Sequence, residues 1–465
     1  MRVSVLPTVR RAAGMSRLNF PVDLFRLRPG EKPMYGESPD CKRAVDYFKS
    51  LITVDEWTAR RAAVAKQFYQ SLIGEDADPS GKGKYFDDRD LFGWYLFLAE
   101  AFTDHPWNYE IIYGCRIIPI FVAIGINLDL LLKIDGFSER AIRVIGSGKS
   151  QPNGTLFEIL VAAAYARAGA KVLFRPETAG QEKSYDLDVE LSGKKWAVEC
   201  KRLEGGEYHE GERQRMRDLW KRPCFALVRD ERDAIMEISF KVELKDVPEN
   251  YLSEKVDKFI GRSLSAHIWN DRIAEGSICN LDLEPIQQAL QKHYLLHPSS
   301  KFSQLLTGSY QRAESMLSMM RLKHASNPHF IESLGSAVVC RWVSLSEDAV
   351  EKKARDIMKR LSDANDQLPS DVSGAVHIGF EALGADAIEQ RRYEKIIETS
   401  RRFDRGVSGL EVIYCNYFAP DPAPDEVWAI DETVQWIGGG RPLEDGRLLP
   451  SDSAGRSGVH WIEQA

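Results

Sequence analysis

Acidic and basic side chains of a kind that can hydrolyse phosphate esters lie close together near the middle of the sequence. Asp186 is followed, after a short polar turn, by Glu199 and then by Lys201. Carboxylates are ligands that suit Mg²⁺, and one or two are enough because the ion keeps several of its waters. A bound ion lowers the pKa of water and offsets charge on a phosphate, while a nearby amine orients the attacking water. The three side chains therefore indicate metal-assisted phosphodiester hydrolysis.

Residues 184–202 have the pattern of two β-strands joined by a tight Ser-Gly turn. Successive side chains of a strand point to opposite faces, so each of these strands has an apolar face and a charged face. Asp186 and Asp188 share the charged face of the first strand, and Glu199 and Lys201 share that of the second. Pairing of the strands is expected to bring Asp186 or Asp188 beside Glu199 and Lys201.

The order Asp186, then Glu199-Cys200-Lys201, resembles the PD-(D/E)xK motif of restriction-endonuclease-like nucleases. Glu158, in the predicted helix GTLFEILVAAAYARAG, is similar to the helix glutamate that many members use as an extra ligand. The resemblance spans about residues 150–245, where the sequence predicts the element order αβββαβ of that fold. It implies a nuclease that uses Mg²⁺, with Mn²⁺ as a substitute, and acts on nucleic acid, with DNA as the expected substrate. Glu158, Asp186 and Glu199 would bind the metal, and Lys201 would act on the water.

The match departs from the family pattern in two places. Tyr185 stands where the motif has proline, and Asp188 competes with Asp186 for the acidic position. We prefer Asp186 because its distance from Glu199 and the Leu-x-Val pattern after it are similar to the family's strand. On the following predicted helix, Gln214 and Arg217 are candidates for contacts with the substrate phosphate.

A second interpretation comes from a different class of function. In it, the nuclease-like fold is a catalytically inactive module for binding or assembly, and the carboxylates are structural. A weaker variant of the first interpretation is a hydrolase that acts on RNA. A protein partner or a homo-oligomer is compatible with either class.

The sequence predicts an α/β protein with a restriction-endonuclease-like core and flanking domains. An N-terminal, mainly helical domain is expected over 1–145, the nuclease-like domain over 146–250, a C-terminal α/β domain over 251–437 and a loose tail over 438–465. Within the second domain, FALVRD (225–230) and AIMEISFKVEL (234–244) are predicted as the strands that complete the sheet.

Composition excludes several other classes. With 465 residues, 43% hydrophobic and 28% charged, the chain is long enough for about three ordinary globular domains. A net charge of −7 excludes a polycationic coat, although not a local basic groove.

The seven cysteines form no CxxC pair, which favours reduced thiols. The longest apolar run, 117–126, is too short to span a bilayer. GSGKS (146–150) lacks the first glycine of a phosphate loop, because position 143 is arginine. We expect a cytoplasmic protein without membrane association.

Overall fold

The computed structural model describes residues 38–73, 85–176, 184–203, 205–293, 295–312, 315–382, 384–424, 430–450 and 455–456. The helices are α1 (Pro39–Ser50), α2 (Val54–Ile73), α3 (Leu91–Asp104), α4 (Ile111–Ile126), α5 (Leu128–Leu131), α6 (Phe137–Ile145), α7 (Pro152–Arg167), α8 (Glu207–Arg229), α9 (Tyr251–Gly261), α10 (Glu284–Lys292), α11 (Ser300–Thr307), α12 (Glu347–Lys353), α13 (Met358–Asn365) and α14 (Asp386–Arg402). The strands are β1 (Lys171–Phe174), β2 (Leu187–Leu191), β3 (Lys194–Leu203), β4 (Ala234–Phe240), β5 (Ala266–Asn270), β6 (Ala274–Asn280), β7 (Leu295–Leu296), β8 (Ser315–His324), β9 (Phe330–Ser344), β10 (Ser373–Glu381), β11 (Leu410–Pro420), β12 (Ile430–Gly438) and β13 (Gly455–Arg456).

Helices α1 to α6 form the N-terminal part of the chain, which agrees with the helical pattern predicted there. The apolar run 117–126 lies in α4, and most of its side chains are buried against other helices. A buried helix satisfies its backbone hydrogen bonds internally, so an apolar segment of this length needs no membrane. No helix in the described ranges combines the length and apolar character needed to cross a bilayer.

The first sheet has seven strands in the order β1-β2-β3-β10-β11-β12-β13. Its centre is parallel, because β10 pairs in parallel with both β3 and β11. The hairpin of β2 and β3 is antiparallel, and both residues of its turn, Ser192 and Gly193, have positive φ angles of 52° and 78°. Such a turn matches the twist of the two strands and holds their register, with Leu187 opposite Val198.

Strand β3 is buried on both faces from Trp196 to Glu199, so the charged face of the strand is covered there as well as the apolar face. Trp196 and Val198 pack in the core that includes α7, and Ala197 packs in a separate core with α13 and β10. The reason is position: a central strand of a parallel sheet is covered by helices on both sides. Glu199 is consequently only 1% exposed.

The second sheet has the order β5-β6-β4-β9-β7, with β8 paired to β9. Two expectations are wrong here. Residues 225–230 are the end of α8 rather than a strand, and β4, although a strand, belongs to this second sheet. The strand that extends the first sheet beyond β3 is β10, far away in the sequence. The order αβββαβ predicted over 150–245 is observed along the chain as α7, β1, β2, β3, α8 and β4, but its last strand lies in the second sheet and not beside β3.

The two sheets do not divide the chain at residue 250. β10, β11 and β12, which the sequence assigns to a separate C-terminal domain, complete the sheet that β1, β2 and β3 begin. The segment 250–330 contains the strands β5, β6, β7 and β8 as well as helices α9 to α11. Part of the predicted loose tail packs instead: Leu443, Leu448 and Leu449 are buried. The general prediction of a mixed α/β protein is confirmed.

Candidate active site

Asp186 directly precedes β2 and lies beside β3 at the open end of the hairpin. The Asp186 backbone N–H donates to the Val198 carbonyl at 3.0 Å. The Asp186 carboxylate accepts a hydrogen bond at Oδ2 from the Cys200 backbone N–H at 2.8 Å. The side chain is thus fixed beside the backbone of β3, next to the two residues that flank Cys200.

Glu199 and Lys201 extend from β3 and contact each other. The Lys201 amine donates to Oε1 of Glu199. Oε2 of Glu199 is buried and has no hydrogen-bond partner among the described residues. A buried carboxylate oxygen without a donor is costly, so this atom is suited to accept a proton or a cation.

The electrostatics of Asp186 and Glu199 favour a proton shared by their two carboxyl groups. Burial, reinforced by the charge of Glu199, raises the pKa of Asp186 to about 8. Burial also raises the pKa of Glu199, although the charge of Lys201 opposes that effect. At neutral pH the two carboxyl groups therefore hold a proton between them.

Glu158, the third expected ligand, is close enough for its charge to raise the pKa of Glu199, but it is already paired. Arg140 Nε lies 3.2 Å from one of its oxygens, and Arg143 Nη2 lies 3.3 Å from each. Both arginines come from α6, and Arg143 also donates to Thr155 Oγ1 at 2.7 Å. Among the described residues, no group of three His, Cys, Asp or Glu side chains is arranged to hold a metal ion. The observed set is thus two carboxylates and an amine, with Glu158 held nearby by two arginines.

The sequence analysis did not identify Arg140 and Arg143. Their only signal in the sequence is a spacing of three, which would put both on one face of a helix. The acid that they bind lies on another helix, so the sequence does not reveal the pairing.

Asp188 lies away from this cluster. Its side chain is 41% exposed, and it accepts hydrogen bonds from Tyr185 Oη at 2.7 Å and from Arg175 Nη1 at 3.3 Å. Asp186 is therefore the carboxylate that the fold brings beside Glu199.

Gln214 and Arg217, the proposed phosphate contacts, lie on α8 and bind groups on the same helix. Arg217 Nε donates to Gln214 Oε1 at 3.2 Å, and Arg217 Nη2 lies 3.1 Å from Glu210. Gln214 also donates to Asp218 at 3.1 Å. These contacts do not join the two residues to Asp186, Glu199 or Lys201.

The two carboxylates fit a hard divalent ion. Mg²⁺ binds proteins through one or two carboxylates and fills its remaining positions with water. Asp186 and Glu199 supply this number of ligands, and among the described residues Oε2 of Glu199 has no donor other than the proton that it shares with Asp186. A cation would replace the shared proton and satisfy that oxygen.

Comparisons of the chain with protein-family models, with curated proteins and with solved structures found no match. The geometry of Asp186, Glu199 and Lys201 is therefore the observation that bears most directly on function.

Proposed function

We propose that this protein is a metal-dependent nuclease that hydrolyses phosphodiester bonds, with DNA as the first substrate to test. The observation that carries the proposal is the pairing of Asp186, which is partly buried, with the buried Glu199: both carboxyl groups have a raised pKa, and Glu199 binds the Lys201 amine. Perturbed carboxyl pKa values caused by burial and by a like charge are typical of functional sites, although structural ion pairs also produce them. The burial of Glu199, which binds Lys201 and is only 1% exposed, distinguishes this cluster from an ordinary surface salt bridge.

The arrangement of elements supports the proposal. A helix, α7, precedes the three antiparallel strands β1 to β3, and a further strand pairs in parallel with β3. This is the arrangement expected for a restriction-endonuclease-like core. Here the parallel strand is β10, residues 373–381. The strands of the second sheet, β4 to β9, lie between β3 and β10 along the chain.

In this proposal, Asp186 and Glu199 hold the ion, Mg²⁺ or Mn²⁺. A bound divalent ion lowers the pKa of water and offsets the negative charge on the phosphate. Lys201 donates to Glu199 and is 19% exposed, so its amine can also reach a water at the surface of the site. There the amine orients the attacking water and places positive charge near the developing phosphate charge. Arg140 and Arg143 hold Glu158 in place and offset its negative charge, so binding of the ion is left to Asp186 and Glu199.

The same site favours a second candidate, an inactive binding module. Glu158 is balanced by two arginines and Glu199 by Lys201, so the cluster is close to charge balance without any ion. In this candidate the carboxylates stabilise the hairpin, and the surrounding surface binds a partner.

Cleavage assays separate the two candidates. Plasmid DNA and structured RNA are incubated with Mg²⁺, with Mn²⁺ and with a chelator. We expect metal-dependent cleavage by the wild type and a loss of at least about 100-fold in Glu199→Ala plus Lys201→Ala, in the range typical of acid–base groups. A matched control is Glu190→Ala plus Lys195→Ala, which removes the same residue types from exposed positions of the same hairpin. Equal cleavage by the wild type and the Glu199/Lys201 variant would eliminate the nuclease proposal.

A further inference from the structure

A cavity of about 560 Å³ lies at the carboxyl ends of the parallel strands β3 and β10. It begins at Arg202, the residue after Lys201, and Asp186 and Glu199 are not among its lining residues. Its walls come from the first turn of α8, the connection between α12 and α13, and the start of α14. In α/β proteins, ligands characteristically bind in the crevice outside the carboxyl ends of parallel strands.

The lining of this cavity is strongly basic. Six lysines and arginines face two glutamates, Glu207 and Glu381. The basic residues are Arg202, Lys352, Lys353, Arg355, Arg360 and Arg392. Their convergence on one concave surface is an arrangement that attracts anions.

Two of the lysines are held in position from behind. Lys352 Nζ lies 2.7 Å from Glu243, and Lys353 Nζ lies 2.6 Å from Glu212. Neither of these glutamates lines the cavity. These two ion pairs therefore reduce the mobility of the lysine amines. Their glutamates lie outside the cavity lining.

The first turn of α8 adds uncharged donors on the same wall. Gly206 precedes the helix and provides no side-chain cap for its N–H groups. Nε2 of His209 is buried and has no hydrogen-bond partner among the described residues. Burial and the nearby charges of Arg213 and Lys353 lower the pKa of His209 to about 4, so the ring is neutral at pH 7. A neutral imidazole and helix N–H groups suit an anionic oxygen.

The rest of the wall is apolar and aromatic. Leu203, Phe380 and Ile388 line it, and the Arg392 guanidinium lies 5.2 Å from the centre of the Phe380 ring. Tyr208 adds a second aromatic ring. A ligand that matches this surface has an anionic group and a flat, largely apolar body.

We propose that this cavity binds a nucleoside phosphate, either a free nucleotide or the phosphorylated terminal nucleotide of a strand. The phosphate contacts the basic wall, and the base packs on the half-buried ring of Tyr208, beside the small exposed areas of Leu203 and Ile388. The volume lies within the range of about 300–1,000 Å³ that is typical of small-molecule sites. This binding is separate from hydrolysis at Asp186 and Glu199.

Calorimetric titration of the full chain tests the proposal. The four nucleoside 5′-monophosphates are titrated in the presence of a chelator, so that no divalent ion contributes. They contain no phosphodiester bond and are not substrates of the proposed nuclease. We expect at least one of them to bind, and its nucleoside and inorganic phosphate to bind at least tenfold more weakly.

Three variants locate the site. Arg360 is about half exposed and lies 3.8 Å from its Asp363 partner, so Arg360→Ala should leave the fold intact. We expect Arg360→Ala and Arg355→Ala each to weaken binding roughly tenfold, as expected for loss of a hydrogen bond to a charged group. Arg401→Ala, at an exposed position of α14 that does not line the cavity, should leave the affinity unchanged.

The source of the nucleotide is decided with a short oligonucleotide, with and without a 5′-phosphate. Tighter binding of the phosphorylated strand assigns the cavity to strand ends, and binding of the free nucleotide alone assigns it to a small ligand. The proposal is overturned if no monophosphate binds at millimolar concentration. It is also overturned if the nucleoside or inorganic phosphate binds as well as the nucleotide, or if Arg360→Ala and Arg355→Ala both retain wild-type affinity.

Discussion

At the scale of single residues, Asp186 and Glu199 are held in a state that favours cation binding. Burial raises the pKa of both carboxyl groups, and Lys201 only partly offsets this effect at Glu199. The proton that they share at neutral pH occupies the place proposed for the metal. Binding of a divalent ion and loss of this proton are therefore linked.

This linkage predicts proton release. Because the pKa of Asp186 is raised to about 8, its carboxyl group is mostly protonated at pH 7 and mostly ionised at pH 9. Mg²⁺ binding at pH 7 should release close to one proton, and binding at pH 9 should release far fewer. Calorimetry in buffers of different ionisation enthalpy measures this number. Equal proton release at the two pH values would show that the pair does not hold the proton.

At the scale of elements, the ion pairs of Glu158 join α6 to α7 beside the site. Arg140 is 5% exposed and Glu158 is 9% exposed, whereas the Arg143 side chain is 26% exposed. Arg140 also donates to the Arg175 carbonyl at 3.1 Å, next to β1. One buried guanidinium therefore connects two helices and the edge of the sheet.

Removal of that guanidinium should be costly. We expect Arg140→Ala to lower the free energy of unfolding by roughly 3 kcal/mol, because a buried carboxylate then loses a partner. Arg143→Ala should cost less, since its side chain is more exposed. Urea unfolding monitored by circular dichroism measures both values. Equal losses in the two variants would mean that Arg140 does not carry the main interaction with Glu158.

The sequence predicts local elements of the site better than their long-range neighbours. The period of two in 184–202 correctly predicts the hairpin, and the helical pattern around Glu158 correctly predicts α7. Residues 225–230 illustrate the limit, because a short apolar run fits a strand or a buried helix. Met216, Leu219, Trp220, Cys224 and Leu227 are buried at helical spacing, and that longer pattern determines the structure.

Long-range pairing is a property of the whole molecule. β3 pairs with β10, although the strands of the second sheet lie between them along the chain. No local sequence pattern determines this pairing, because several apolar strands could occupy the place beside β3. Within the intervening unit, Ser344 at the end of β9 donates from Oγ to Glu212 of α8 at 2.8 Å. The same pairing covers the charged face of β3 at Glu199, because it places β3 inside the sheet.

Buried histidines make the whole molecule sensitive to acid. His329 and His377 are fully buried, and burial lowers their pKa to about 4 and about 3. Below pH 6.5 the unfolded chain takes up protons that the folded chain does not bind. The free energy of unfolding should then fall by about 1.4 kcal/mol for each histidine and each pH unit down to the folded pKa.

His377→Gln tests this prediction by removing one such group. Unfolding free energies measured from pH 7 to pH 4.5 should fall less steeply in His377→Gln than in the wild type. The exposed His293 provides the control, and His293→Gln should retain the wild-type slope. Parallel curves for His377→Gln and the wild type would show that His377 is not excluded from protonation in the folded state.

The most direct test of the proposed site is a Mg²⁺ titration, because it does not depend on finding the right substrate. The wild type is compared at pH 8 with Asp186→Asn plus Glu199→Gln and with the matched pair Asp188→Asn plus Glu190→Gln. The proposed site predicts binding of an ion by the wild type and by the matched pair, and its loss in the Asp186/Glu199 variant. Binding of the same ion, with the same affinity, by all three proteins would contradict it.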